Sequence, residues 1–252
     1  MIDTLRSEWI KLRTVRMNAV LAIIAVGFPL VITVLTALLI DADDMDAEGL
    51  IGLVTGTSIV TGMLLGVIGA AGITSEFGFG TIRPTFAATP KRSRVLIAKA
   101  ALTVVVGLVV EAVMVALCFG VGSVLLNSRG GDVQFADAGD ARWALLGIVV
   151  FAGIVSLLGF GLGMLIRSTP AAIAVLILWP LVGESIVGGL LIAAGLDNPF
   201  KWLPYNAGIN LGNPDAGAGT DSLGRVWGGL YFFVVTAVIT ALGALSTSKR
   251  DA

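Results

Sequence analysis

Long apolar runs separated by short polar stretches dominate this sequence. A helix that crosses the roughly 30 Å hydrocarbon core of a bilayer needs about 20 apolar residues. Six stretches are long enough: 17–40, 49–75, 100–128, 143–166, 168–196 and 226–248. Such continuous runs predict helices rather than the short alternating strands of a barrel. We therefore predict an all-α, polytopic membrane protein, with one domain of six transmembrane helices over residues 1–252.

The first sixteen residues have an amphipathic pattern instead. Their apolar positions recur at spacings of three, four and three, at Ile2, Leu5, Trp9 and Leu12. Basic residues, including Lys11 and Arg13, lie around this stripe. The pattern predicts a helix that lies along the membrane surface with Trp9 at headgroup level. A simple interfacial anchor and a specific mechanical role both remain open for it.

Two of the connecting segments contain more apolar and aromatic residues than a short loop between two spans needs. Residues 73–100 read ITSEFGFGTIRPTFAATPKRSRVLIAKA, where several apolar side chains stand among the charges and require a surface that covers them. Residues 197–225 contain the aromatic cluster FKWLPY, which favours a membrane interface. We expect 197–225 to be either a re-entrant region or an ordinary loop with aromatic anchors.

The composition restricts the chemistry that this chain can perform. Only 13% of its residues are charged, against about 25% in soluble domains, and its mean hydropathy is +0.97. It has no histidine and one cysteine, Cys118, inside an apolar run. No G-x-x-x-x-G-K-[ST] phosphate loop occurs. We therefore expect no enzyme activity, no bound metal, no cofactor in this chain and no nucleic-acid partner.

The distribution of charge predicts the orientation. With the N-terminus inside, the inner segments carry twelve of the sixteen basic residues and the outer segments carry four. The outer loops also hold eleven of the seventeen acids. The positive-inside rule then places both termini in the cytoplasm. Acidic residues rather than a cleavage site follow the first apolar run, so we expect that run to be retained as a span.

Two acidic residues interrupt the predicted spans. Glu111 lies twelve residues after Lys99, or about 18 Å along a helix, and Glu184 lies thirteen residues before Asp197. Carboxylates at such depth are costly and seldom face lipid. Pro180 precedes Glu184 by one turn and predicts a kink there. The two carboxylates either line a transport pathway or help to bind a cationic substrate, beside a cavity wall at the Pro180 kink, or they are protonated or hydrogen-bonded between helices and simply hold the bundle together.

Glycines four residues apart suggest where helices pack closely. Three such pairs lie within the predicted spans: Gly52/Gly56, Gly62/Gly66 and Gly159/Gly163. Small residues at this spacing let two helix backbones approach each other in a membrane. Because the chain has 33 glycines, matches of this kind also arise by chance.

Three local motifs resemble the permease subunits of type-2 ATP-binding-cassette transporters of bacteria. SEWIKLRTVR (7–16) looks like their opening helix. The segment 75–99, with EFGFGTIRPT followed by PKRSR and AK, looks like the cytoplasmic segment between their second and third spans, and WLPYNA (202–207) looks like the outer region between their last two spans. The six-span plan agrees along the whole chain. The short outer loops argue against subclasses that use a large extracellular module.

The resemblance implies roles for particular residues. It assigns Glu76, Phe77, Gly80, Thr81 and Arg83 to a coupling segment, 75–92, that touches a separate ATPase. It also assigns Pro90, Arg92 and Lys99 to the stretch in which the chain returns into the third span. It also implies a dimer of permeases, identical or related, with two ATPase chains that bind the ATP and magnesium, in the inner membrane of a bacterium.

The leading interpretation is thus the permease of an ATP-driven exporter. The apolar spans favour a hydrophobic or amphipathic substrate such as a drug, an antibiotic or a lipid, within a membrane whose lipids surround the protein. One alternative is an ion-coupled secondary transporter that uses Glu111 and Glu184. Another is an accessory membrane subunit without a transport path.

Overall fold

The computed structural model describes residues 2–81, 92–216 and 222–250, with the side chains in these ranges except those of 2–6, 12, 92 and 248–250. All regular elements in the described residues are helical. The α-helices are α1 (Ile2–Thr14), α2 (Arg16–Leu39), α3 (Ala47–Gly78), α4 (Arg92–Ser128), α5 (Arg142–Ile166), α6 (Thr169–Leu178), α7 (Glu184–Ala193), α8 (Pro204–Ile209) and α9 (Arg225–Arg250). A π-helical turn, Trp179–Gly183, joins α6 to α7, and short 3₁₀ turns lie at Ala42–Asp44, Phe135–Ala141, Pro199–Trp202 and Asn210–Gly212.

Six helical stretches are long and apolar enough to cross a membrane, which confirms the predicted all-α fold with six spans. They are Arg16–Leu39, Ala47–Gly78, Ser93–Ser128, Phe135–Ile166, Thr169–Ala193 and Arg225–Thr247. Two boundaries differ from those read from hydropathy. The second helix continues past Glu76, and the third begins before Lys99, so both charged residues lie within helices. A hydropathy boundary stops at the first charge, whereas a helix continues while its hydrogen bonds can form.

The bundle is built around α5. In the most apolar stretch of this span 78% of the residues are buried, against 17% for α2. It packs closely on α3, because a Cβ atom on Gly159 would lie 2.0 Å from the carbonyl oxygen of Gly66. Gly163 approaches the backbone of Ala70 in the same way. Of the predicted glycine pairs, Gly62/Gly66 and Gly159/Gly163 therefore do mark a helix contact.

The third glycine pair faces open space. A Cβ atom on Gly52 or on Gly56 would meet no atom within 4 Å. In the N-terminal half of α3, the described chain thus leaves Gly52 and Gly56 uncovered.

Helix α8 and the turn after it insert between α5 and α9. The carbonyl oxygen of Leu211 occupies the place that a Cβ of Gly147 would take, and the carbonyl of Ala207 lies against Gly228 in the same manner. The Tyr205 ring packs edge-on against Phe151, with ring centroids 5.3 Å apart. Phe151 is nine residues, or about 13 Å, from the start of α5. The segment 204–212 therefore re-enters the helix bundle.

The bundle has two ends, named here after the short helices that lie at them. At the α1 end, α2, α4 and α6 begin while α3, α5 and α9 finish. The α8 end holds the opposite termini of these helices. Since most of the predicted site residues lie near the α1 end, the fold brings together residues from distant parts of the sequence there.

Candidate functional site

Four charged side chains meet beneath α1. Glu8 and Lys11 are one turn apart on α1, so they lie on the same face of that helix. Glu76 lies in the last turn of α3, and Lys99 lies in the second turn of α4. We call these residues the charged quartet: Glu8, Lys11, Glu76 and Lys99.

Each lysine of the charged quartet bridges both glutamates. The ammonium of Lys11 lies 2.9 Å from Glu8 Oε1 and 3.2 Å from Glu76 Oε1. Lys99 donates to Glu76 Oε1 at 2.5 Å and also to Glu8 Oε2. Two acids and two bases make the group neutral. It joins α1 to the ends of α3 and α4 that flank the 82–91 connection.

Burial distinguishes the two lysines. Side-chain exposure is 7% for Lys99 and 8% for each glutamate, but 48% for Lys11. Removing one partner of a buried ion pair leaves an uncompensated charge in an apolar place, which costs far more than breaking an exposed pair. Lys99 is therefore the member on which the charged quartet depends most.

The charged quartet sets the ionisation of the two residues on α1. Burial alone raises the pKa of Glu8, but the hydrogen bonds from Lys11 and Lys99 outweigh it, so the pKa lies below its ordinary value of 4.5. Desolvation lowers the pKa of Lys11, but the two glutamates outweigh it, so this pKa lies above its ordinary 10.5. Both groups are charged at neutral pH, where the pairing is complete.

Arg167 extends this polar layer across the α1 end. It closes α5 in a left-handed conformation, with φ of 60° and its N–H donating to Gly163 O. Its guanidinium lies 4.8 Å from the centroid of the Phe77 ring and reaches Ser246 O of α9. Nearby, the hydroxyls of Thr74 and Thr169 are 2.6 Å apart and connect α3 to α6. The ends of five spans are thereby linked at one level.

The remaining residues of the predicted coupling segment fall into two groups. Gly80 has φ of +67°, a conformation that suits glycine, and it turns the chain after α3. The Thr81 hydroxyl donates to Glu76 O at 3.5 Å. Arg83 and Pro90 lie outside the described residues, as does the side chain of Arg92.

Two described apolar residues of α1 are exposed. Trp9 is 49% exposed and Ile10 is 53% exposed, and Arg13 is exposed as well. The side chains of Leu5 and Leu12 are outside the described part of the chain. An apolar and basic face of this kind suits a bilayer surface, so the interfacial placement of α1 stays a prediction that the exposure of Trp9 favours.

Glu184 holds the re-entrant segment at the other end of the molecule. Its carboxylate accepts hydrogen bonds from the backbone N–H groups of Tyr205 at 2.7 Å and Asn206 at 2.9 Å, and from the Asn206 side chain at 2.7 Å. It thus caps the N-terminus of α8, which has no cap of its own. The two unusual features of the C-terminal half, a carboxylate within a span and the WLPYNA motif, are partners of each other.

Pro180 lies in the π-helical turn just before Glu184. The N–H of Glu184 bonds to Trp179 O, five residues back, in place of the usual four-residue spacing. Proline has no N–H to donate and its ring crowds the preceding turn, and π turns accommodate such breaks. The π-helical turn sets the direction of α7, and the Glu184 carboxylate therefore points toward the N-terminus of α8.

Glu111 has different surroundings from Glu184. Its side chain is fully buried, and its two carboxylate oxygens have no hydrogen-bond partner among the described residues. The hydroxyl of nearby Ser58 donates instead to Val54 O at 2.8 Å. Cys118 is buried on the same helix, about two turns further on. No described contact joins Glu111 to Glu184, and the role of both in a pathway stays a prediction.

Several residues of this site were missed by the sequence analysis. Glu8 and Arg167 were not singled out, although the one-turn spacing of Glu8 and Lys11 is a visible signal for the first. Tyr205 and Asn206 were seen only as part of a motif. In the described part of the chain no cluster of three or more potential metal ligands occurs.

A family model described as ABC-2 family transporter protein matches residues 4–194. This range runs from α1 to the end of α7 and covers about three quarters of the chain. The chain belongs to the ABC-2 transporter family. The match includes the whole charged quartet and Glu184, and it stops before α8. No curated protein sequence matches the chain.

Membership of the ABC-2 family indicates the general role of this protein. Proteins of the ABC-2 family are membrane components of transporters, are generally not catalytic themselves, and normally work with a separate ATP-binding-cassette ATPase. ATP and magnesium act on that ATPase. The chain is accordingly a multi-pass membrane protein of a transport system.

Proposed function

We propose that this ABC-2 protein is the permease of an ATP-driven exporter, and that a separate ATPase drives it through the α1 end. The observation that carries the proposal is the charged quartet. It ties α1 to the ends of α3 and α4 between which the 82–91 connection runs. A push on that connection is then transmitted to two spans and to the surface helix together.

The polar layer around Arg167 supports the same role. A force from an ATPase moves a transport pathway only if several spans respond as one body. Arg167 links the end of α5 to Phe77 on α3 and to Ser246 on α9. The α1 end is thus stiffened at the level where the force would arrive.

The proposed orientation puts the α1 end in the cytoplasm of a bacterium. The positive-inside rule supports this, because the basic residues concentrate in the segments at the α1 end. Both termini are then cytoplasmic, on the side where ATP is available. The α8 end, with its acidic loops, faces outward.

We further propose that two permease copies assemble with two ATPase chains. The uncovered face around Gly52 and Gly56 supports a contact between permeases, because small residues allow close approach of helices within a membrane. The substrate that best suits a bundle with so apolar a composition is a hydrophobic or amphipathic compound such as a drug, an antibiotic or a lipid.

Ion-coupled transport is the second candidate, and one observation favours it. Glu111 is a buried carboxyl group without a hydrogen-bond partner among the described residues, as a proton carrier within a membrane would be. Glu184, by contrast, uses both oxygens to hold α8.

Reconstitution of the permease with its ATPase in liposomes tests both candidates. We expect Glu76→Ala to leave membrane insertion and ATP hydrolysis intact while ATP-dependent movement of a fluorescent phospholipid or a hydrophobic dye is lost. Arg83→Ala should behave in the same way. The matched control is Glu48→Ala, which changes an exposed acid at the other end of α3.

Three results would contradict the leading proposal. Normal export by Glu76→Ala would contradict the coupling role of Glu76. Failure of any ATPase to copurify with the permease would contradict the proposal that a separate ATPase drives transport. Transport that continues without ATP, but stops when the proton gradient collapses and in Glu111→Gln, would establish the ion-coupled alternative.

A further inference from the structure

A groove opens beside the charged quartet, between α1 and the spans. Its volume is about 380 Å³, within the roughly 300–1,000 Å³ typical of ligand cavities. Its lining includes the apolar side chains of Val15, Met17, Leu102 and Phe160. The charged quartet and several hydroxyl and amide side chains line it as well. An occupant of this groove must therefore be amphipathic.

The groove continues past the surface helix to the side of α3. Gly72 lines it, and a Cβ atom on Gly72 would meet no atom within 4 Å. Other glycines of this helix, such as Gly66 and Gly69, are in tight contact with α5. Among the described residues, none fills the space beside Gly72, so this space can accept an apolar chain.

The exposed charge of the described side chains at the α1 end is positive. The described acidic side chains at the α1 end, Glu8 and Glu76, are buried and already paired with lysines. Lys11 is half exposed, and Arg13, Arg16 and Arg94 are exposed at the same end. The ammonium of Lys11 has three hydrogens, and two of them serve the glutamates. One remains for an anionic oxygen.

We infer that this groove binds one anionic phospholipid, with an acyl chain beside Gly72 and Leu102 and the phosphate at Lys11. The apolar lining residues cover the chain, while the exposed cations attract the phosphate. The lipid would fill the space between α1 and the spans that the charged quartet bridges. This inference concerns lipid binding alone and does not rest on ATP-driven export.

Native mass spectrometry of the purified protein tests the inference. The protein is exchanged into detergent with equal amounts of phosphatidylglycerol and phosphatidylcholine, and the lipid retained per chain is counted. One basic contact near a membrane surface favours an anionic lipid by about fivefold. We expect about that preference for phosphatidylglycerol, with one molecule held per chain.

Two variants locate the bound lipid. Gly72→Leu fills the groove, so the retained phosphatidylglycerol should fall to the level of phosphatidylcholine. Gly27→Leu is the matched control, because it adds the same side chain to α2 at a position that also has no neighbour within 4 Å and does not line the groove. Lys11→Gln removes the cation without filling the groove and should abolish the fivefold preference while a neutral lipid still binds.

Several results would contradict the proposed lipid site. Equal retention of the two lipids by the unmodified protein would overturn the inference, as would stronger retention of dodecylamine, a cationic amphiphile. If Gly72→Leu holds as much phosphatidylglycerol as Gly27→Leu, the site is not in this groove. If Gly72→Leu does not fold, the Lys11→Gln result decides, and an unchanged preference in that variant overturns the inference.

Discussion

Lys99 on α4 donates a hydrogen bond to Glu8 on α1, 91 residues earlier in the chain, and both side chains are more than nine-tenths buried. This contact joins α1 to a membrane span through charge. It places α1 where it must move with α3 and α4. The charged quartet is therefore both a structural joint and the centre of the proposed coupling site.

The first prediction concerns the unequal weight of the two lysines. Lys99→Met should lower the free energy of unfolding by about 3–5 kcal/mol, because it leaves Glu8 and Glu76 buried with less compensation. Lys11→Met should cost at most about 1 kcal/mol, since the Lys11 side chain is half exposed and screened by water. Thermal unfolding of the purified variants in one detergent compares them. Equal losses of stability would contradict the assigned burial.

The second prediction concerns pH. Because pairing lowers the pKa of Glu8, the attachment of α1 is present above pH 4.5 and is lost as the pH falls through the lowered value. Because pairing raises the pKa of Lys11, its contribution persists at neutral pH and is lost only above about 10.5. Trp9 fluorescence, in a variant whose other four tryptophans are phenylalanine, should change below pH 4.5.

A control variant makes the pH experiment specific. Glu8→Gln has no carboxylate to titrate, so its Trp9 signal should lack the acid transition. Should that transition survive in Glu8→Gln, another group is responsible and the assignment to Glu8 is wrong.

The third prediction concerns the cap that Glu184 places on α8. Glu184→Gln keeps one acceptor but presents an amide N–H₂ to donors, so the N–H groups of Tyr205 and Asn206 lose charge-assisted hydrogen bonds worth about 1.5–3 kcal/mol each. Loss of one such bond should speed hydrogen exchange at 204–209 by about 10- to 100-fold. Ser185→Ala, on the neighbouring exposed side chain, should leave exchange unchanged. Unchanged exchange in Glu184→Gln would argue against the cap.

The fourth prediction separates the two kinds of glycine in the spans. Gly159→Ala places a methyl group on the carbonyl of Gly66 and should destabilise the bundle by about 1–3 kcal/mol, because the backbones must move apart. Gly56→Ala enters open space, so the fold should keep its stability or gain slightly from better helix propensity. The two variants are compared by thermal unfolding. Similar destabilisation by both would contradict the contact between α3 and α5.

The fifth prediction tests the proposed contact between permease copies. Gly56→Leu should weaken association because it enlarges a face that needs small residues, while leaving each chain folded. Gly27→Leu, on α2, is the control. Single-molecule counting of labelled permeases in membranes measures the fraction of pairs. A pair fraction unchanged by Gly56→Leu would place the contact elsewhere.

The sequence predicted the spans well because hydrocarbon imposes a simple requirement on length and polarity. It also indicated three glycine pairs as candidate helix contacts, and it identified Glu111 and Glu184 as acidic residues within spans. The resemblance of its motifs to type-2 permeases agrees with the family to which the chain belongs. It did not predict that Glu184 would meet Tyr205 and Asn206, since a π-helical turn and a re-entrant helix decide that meeting.

By itself, the sequence determined the class of this protein, its six spans, the amphipathic first helix and the asymmetry of its charges. These properties depend on side chains counted along the chain, and they do not require knowing which helices are neighbours. Only the tertiary structure decided which charges pair. Glu8, Glu76 and Lys99 come from three helices, and their ion pairs form because packing brings the ends of those helices together and leaves each buried charge a partner of opposite sign.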